Sequence, residues 1–160
     1  MGGSSEASCK LSSIGLSLEG KLIEEGGGFI SCRSEVFEAP LNLSEYRGVQ
    51  LEVEGEGRTL KIAFACQGRF FGADNLIYDG LRWVKDFSTN KIGITRSNVF
   101  FRDLKPTIQA KPILFPLRFD NSRITRLQLL HSKFDESGGI NQGFRAGPVR
   151  IVLHTIGVFY

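Results

Sequence analysis

The chain has 160 residues, 41% of them hydrophobic and 23% charged, with a formal net charge of +3. That length suits one domain burying roughly 70% of its unfolded surface, so a core can form without a metal or disulfide staple. No apolar run approaches the roughly 20 residues of a membrane-spanning helix, and residues 1–5 (MGGSS) have neither the charge nor the apolar stretch of a secretory signal or transit peptide.

The elements expected along the chain are short strands separated by turn signals. Strands are predicted at residues 14–18 and 28–34, the second led by Gly26-Gly27-Gly28, which opens no helix and so is no phosphate loop. Residues 49–54 (VQLEVE) alternate apolar and polar, the mark of a strand wet on one face. Gly55-Glu56-Gly57 follows as a turn, and residues 59–65 (TLKIAFA) read as the return strand of a hairpin. Further strands are predicted at 81–87, 112–115, 124–131 and 149–159, about eight in all. Residues 87–101 read as a long loop or ragged edge strand. Residues 43–46 and 120–123 are single turns at most, the second capped by Asp120. An all-β, jelly-roll-like sandwich is the expected fold.

Three scattered cysteines, Cys9, Cys32 and Cys66, make no even framework and no metal spacing, and read as reduced, buried thiols. Residues 1–80 carry 7 Lys/Arg against 12 Asp/Glu, and residues 81–160 carry 13 against 5. A basic half can mark an anionic partner such as RNA or a membrane surface, whereas sheets that interleave the halves would cancel much of the field.

Catalytic chemistry finds no foothold. His131 and His154 each lie near a strand end without a second histidine, and His131 with Asp135 falls short of the three or four ligands of a zinc site; both read as partly exposed polar histidines. No GxSxG elbow surrounds a serine, and Cys32 or Cys66 would need a distant histidine. Glu52, Glu54 and Glu56 read as the solvated side of a strand, and Asp135 and Glu136 as loop acids rather than a glycosidase pair. No catalytic residue, no metal and no cofactor is expected.

Binding chemistry concentrates in residues 131–150, which mix cations, an amide and two phenylalanines. Lys133, Asn141 and Arg145 suit an anion, a sugar hydroxyl or a partner carboxylate, with Phe134 and Phe144 either packed beneath the loop or exposed for stacking. Arg96, Arg102, Lys105 and Lys111, interleaved with Phe100 and Phe101, form a candidate basic patch of the kind that binds single-stranded nucleic acid, although no recognised RNA motif accompanies them.

Four stretches resemble the complex-I-intermediate-associated, thirty-kilodalton (CIA30) family: residues 1–5 (MGGSS), 27–34 (GGFISCRS), 40–49 (PLNLSEYRGV) continuing into 55–58 (GEGR), and 132–134 (SKF) with 147–148 (GP) and the last strand. The resemblance implies a galactose-binding-like jelly roll, a single domain over 1–160 excised from a longer chain and short of an edge strand, and an assembly role through protein partners rather than catalysis. Residues 130–134 (LHSKF) and 143–148 (GFRAGP) are similar to the plant and cyanobacterial branch. There the domain sits inside an atypical short-chain dehydrogenase that promotes translation of the photosystem II D1 message. The dehydrogenase's dinucleotide fingerprint is not in this chain, so no cofactor carries over. This branch implies a chloroplast location, with RNA contacted directly or through a complex. The mitochondrial complex I assembly branch is the alternative, and a glycan-binding module is the second. One Trp and three Tyr are few for sugar platforms.

Overall fold

The computed structural model describes residues 5–67 and 80–160; most of the MGGSS stretch lies outside them. In chain order the strands are β1 (Glu6–Ser12), β2 (Gly15–Leu22), β3 (Phe29–Arg33), β4 (Gly48–Glu54), β5 (Thr59–Cys66), β6 (Leu81–Ser88), β7 (Thr95–Phe100), β8 (Lys105–Ile108), β9 (Lys111–Pro112), β10 (Ile124–Ser132) and β11 (Gly147–Phe159). The helical content among the described residues is one 3-10 turn, Phe101–Asp103, and no helix is long and apolar enough to cross a membrane.

Two antiparallel sheets face each other, one ordered β1-β2-β11-β4-β7 and the other β3-β10-β5-β6-β8-β9. The expected all-β sandwich is the observed one. Period-two alternation builds the core: Leu51 and Val53 of β4, Leu18 of β2 and Ile151 of β11 meet Leu60, Ile62 and Phe64 of β5 and Leu129 of β10 between the layers. One end is filled by rings. Phe119 packs on Phe64, Trp83 and Phe101 at centroid distances of 5.5–5.7 Å. Offset and tilted contacts of this kind add to area burial.

The predicted β4–β5 hairpin does not form. β4 lies between β11 and β7, β5 between β10 and β6, so the 55–58 turn arches from one sheet to the other. Alternation says which face of each strand is buried, not which edge is paired, and two inward faces meet across a sandwich as well as in a hairpin. The turn needs left-handed backbone at Glu56 (φ 55°) and Gly57 (φ 79°), and Gly55 abuts Thr89, where a Cβ would come within 2.5 Å of its hydroxyl.

Other boundaries moved. β1 and β8 were not predicted, the strand expected at 112–115 shrinks to β9, and the ragged 87–101 stretch contains the edge strand β7. The turn at 120–123 is capped by Asp120 as expected: its carboxylate accepts the Ser122 N–H at 3.0 Å and the Ser122 hydroxyl. The cysteine expectation also fails for two of three. Cys9 of β1 and Cys32 of β3 form a disulfide with Cα atoms 5.9 Å apart, joining the outer strands of the two sheets; Cys66 is a free, half-buried thiol. Spacing along the chain carries no trace of this, because the pairing arises from the way β1 folds over β2 toward β3.

Candidate functional site

The outward face of the six-stranded sheet is hollow at its centre. The register sets Arg33 beside Gln128, Gln128 beside Ala63 and Ala63 beside Val84 in one row. A second row runs Ser31, Leu130, Lys61, Asp86. Ala63 is a small residue on the central strand, flanked by longer side chains, so the sheet sinks there: Ala63 is only 1% exposed although it points away from the core. The groove has a volume of about 360 Å³. Ala63, Val84 and Leu130 form its floor, Phe29 and Phe134 border it, and Arg33, Lys61 and Arg82 supply charge; among the described residues no Asp or Glu lines it.

A polar network anchors the groove's wall. The Lys61 ammonium donates to the Phe134 carbonyl at 3.0 Å and lies 3.9 Å from Asp86. Burial pushes this ammonium below the usual lysine range, partly offset by Asp86, Asp135 and Glu136. Asp86 and Glu136 clamp each other's backbone, each carboxylate accepting the other residue's N–H at 2.8 Å. Burial raises the Asp86 carboxyl. Burial acts upward on Glu136 too, but Lys85 at 2.8 Å, Lys105 at 2.9 Å and the Asp86 N–H outweigh it and hold that carboxyl low. These acids are committed to holding residues 134–137 on β6, and neither lines the groove.

The sequence-selected loop residues divide. Phe134 is 37% exposed and borders the groove, with the Lys133 ammonium 5.6 Å over its ring. Asn141 is buried: its amide donates to the Thr59 carbonyl at 3.1 Å and the Ser132 carbonyl at 2.8 Å, and its oxygen accepts the Gly143 N–H at 2.9 Å. Phe144 stacks on His131 with centroids 5.4 Å apart, and Arg145 reaches the Glu56 carbonyl at 2.9 Å. Asn141→Ala removes three hydrogen bonds and takes this partner from the Ser132 carbonyl and the Gly143 N–H, while the Thr59 carbonyl keeps its bond to His131, so a loss of about 2 kcal/mol is expected in urea unfolding.

His131 was expected to be partly exposed and is fully buried. Its Nδ1–H donates to the Thr59 carbonyl at 2.9 Å, which leaves Nε2 to accept the Arg145 N–H at 3.4 Å. Burial first, then the nearby Arg58 and Arg145 charges, lower its pKa to about 4 despite the Thr59 bond. The imidazole is therefore a neutral internal spacer, sealed beneath Phe144.

The four candidate basic-patch residues do not converge. Arg96 is on β7 of the five-stranded sheet and pairs with Glu52. Arg102 lies 4.8 Å over the Phe100 ring. Lys105 on β8 is tied to Glu136, and Lys111 is on β9. Among the described residues no group of three His, Cys, Asp or Glu side chains gathers to hold a metal.

Groove residues Arg33, Ala63, Arg82, Val84 and Gln128 were not singled out from the sequence. One signal was present: β5 carries Ala63 and Ala65 opposite Leu60, Ile62 and Phe64, small apolar residues where a plain wet face would be polar.

Sandwich and groove together define a galactose-binding-like jelly roll, an architecture shared with carbohydrate-binding modules. A family 11 carbohydrate-binding module of the cellulase Lic26A-Cel5E from Clostridium thermocellum superposes with TM-score 0.67 at 11% identity, over 99% of this chain and 84% of that one. The same organism's family 11 module in complex with a β-1,3-1,4-mixed-linked tetrasaccharide gives 0.66 at 11% identity, over 99% and 85%. The agarase AgWH50C gives 0.54 at 8% identity, over 96% of this chain and 22% of that one. These likenesses establish the fold. No curated protein sequence matches. The chain belongs to the family described as complex I intermediate-associated protein 30, CIA30, whose model matches residues 1–153.

Proposed function

We propose that this domain is a non-catalytic docking module of an assembly factor, and that it holds a partner protein in the groove on the outer face of the six-stranded sheet. The observation that carries the reading is the groove itself, sunk over Ala63 and lined, among the described residues, by Phe29, Phe134 and the basic side chains of Arg33, Lys61 and Arg82. The family description, an intermediate-associated protein of complex I, supports an assembly role. At its finest the reading is a chloroplast factor, stromal or thylakoid-associated, acting in photosystem II D1 translation and biogenesis through protein or ribonucleoprotein contacts. That level rests on the wording of residues 130–134 and 143–148 alone. A complex I factor of the mitochondrial matrix fits the family description as well.

Ala63→Trp would fill the groove from its floor while pointing away from the core. The variant is expected to keep its thermal midpoint within a few degrees and to lose crosslinking, by a photoreactive residue at position 128, to the partner that the wild type captures from organelle extract. Undiminished crosslinking of the same partner would move the docking site to another face.

A glycan-binding reading is favoured by one observation, the family 11 module bound to a tetrasaccharide on the same fold. Against it, no Trp or Tyr among the described residues lines the groove, and Trp83 is only 2% exposed. Sugar platforms need exposed flat rings.

A further inference from the structure

We propose that β1 is a dimerisation edge: the first strands of two copies of this chain pair antiparallel about a two-fold axis through Ser8, joining their β1-edged sheets into one continuous sheet. The inference is independent of the groove, which lies on the other sheet.

β1 buries nothing and yet is held still. All seven of its residues are exposed, and among the described residues its ladder is to β2 alone. The hairpin decides which backbone groups are left over. Ser12 pairs with Gly15 across a two-residue turn, and the pair that closes so tight a turn exchanges both of its N–H···O bonds. Antiparallel pairs then alternate. Ser12, Lys10, Ser8 and Glu6 spend their backbone groups on β2, while Leu11, Cys9 and Ala7 turn theirs outward. Among the described residues no other backbone group meets them. Such a row is a template for another strand. The bond from Cys9 to Cys32 of β3 fixes the strand before any partner arrives, and a fixed edge loses less freedom on docking.

The charge pattern names the occupant. Glu6, Ser8 and Lys10 share one face of the strand, and Ala7, Cys9 and Leu11 the other. Among the described residues neither Glu6 nor Lys10 has an ion-pair partner. An axis through Ser8 sets Glu6 of each copy against Lys10 of the other. Moving the axis one residue either way sets Glu6 against Ser8 or Ser12 and leaves both charges unmatched. The same register brings Ala7 of each copy opposite Cys9 of the other, so the outward backbone groups of both residues pair. Leu11, 84% exposed, then lies diagonal to Ala7 of the second copy. Opposite charges facing each other across a strand pair stabilise it and like charges destabilise it, and two-fold symmetry counts every contact twice. A strand this short covers less than about 1,200 Å², so the dimer is a weak, reversible one.

The test is sedimentation equilibrium of the oxidised 160-residue chain from about 10 µM to 1 mM, the range in which so small an interface dissociates. The wild type is expected to pass from monomer to dimer. Glu6→Lys and Lys10→Glu each place two like-charged pairs across the axis, and each is expected to weaken the dimer about tenfold. The double variant, Glu6→Lys with Lys10→Glu, is expected to recover it, and an equal mixture of the two single variants to form a mixed dimer tighter than either alone. All variants should keep the wild-type thermal midpoint within about 2 °C, because both side chains are exposed. Amide exchange at Ala7 and Cys9 should slow as the dimer forms, while Glu6 and Ser8, already bonded to β2, stay unchanged. A chain that remains monomeric at 1 mM would overturn the proposal and make these charges guards against edge pairing. A dimer indifferent to the charge reversals, or one that protects amides of β5 and β6 instead of β1, would overturn it in favour of another surface.

Discussion

Acidification from pH 7 to pH 4 is expected to strip roughly 3 kcal/mol from the stability of this domain through His131 alone. The imidazole pKa falls from 6.5 to about 4 on folding. Between those values the unfolded chain binds a proton that the folded one refuses. Stability from this group is therefore complete above pH 6.5, declines as pH falls, and is gone below about 4. At about 1.36 kcal/mol per pKa unit the difference is roughly 3 kcal/mol. The geometry agrees in sign, since a proton on Nε2 would meet the Arg145 N–H that now points at it. His131→Gln offers a comparable donor to Thr59 and acceptor to Arg145 without titrating. Urea unfolding of both proteins at pH 7 and pH 4 isolates the effect, because Asp86, Glu136 and the other carboxyls titrate in both and drop out of the difference. Parallel losses in the two proteins would sink the assignment. His131 also sits under the loop that ends in the Phe134 wall, so groove binding should weaken over the same window.

That histidine marks where sequence reading stops. The all-β class, the alternation of β4 and the scarcity of helix were legible because period-two alternation is local. Which strand pairs with which was not. Val49 to Glu54 and Thr59 to Cys66 look like two arms of a hairpin, yet each finds its neighbours far along the chain. Asn141 and Phe144 drew notice as polar and aromatic loop residues, and in the fold they pin and cap the loop from beneath. Of the loop residues, Phe134 borders the groove. Arg33, Ala63 and Arg82 come from separate strands, and no window of sequence holds them together. The groove is a property of register, and its clue was two alanines on the wrong side of β5.

Reduction of the Cys9–Cys32 disulfide is expected to cost the domain about 3.5 kcal/mol. The two residues are 23 apart in sequence, and closing a loop of that size in the unfolded chain removes an entropy worth about 3.5 kcal/mol at 25 °C on the chain-entropy model. The folded state has its own reason to need the tie. All seven residues of β1 are exposed, and its one ladder is to β2. Little apolar burial holds the strand, so the covalent link to Cys32, which is only 7% exposed, fixes the corner where the outer strands of the two sheets approach. Urea titrations with and without dithiothreitol, beside Cys9→Ser, should give matching losses for the reduced wild type and the variant, while Cys66→Ser should leave the difference intact. Amide exchange should localise the loosening to β1 before the groove strands β5 and β6. If reduction leaves the unfolding midpoint unchanged, β1 is held by its ladder to β2 and the staple contributes nothing; if β5 and β6 loosen together with β1, the two sheets unfold as one unit and the groove depends on the redox state of the bond at its β3 edge.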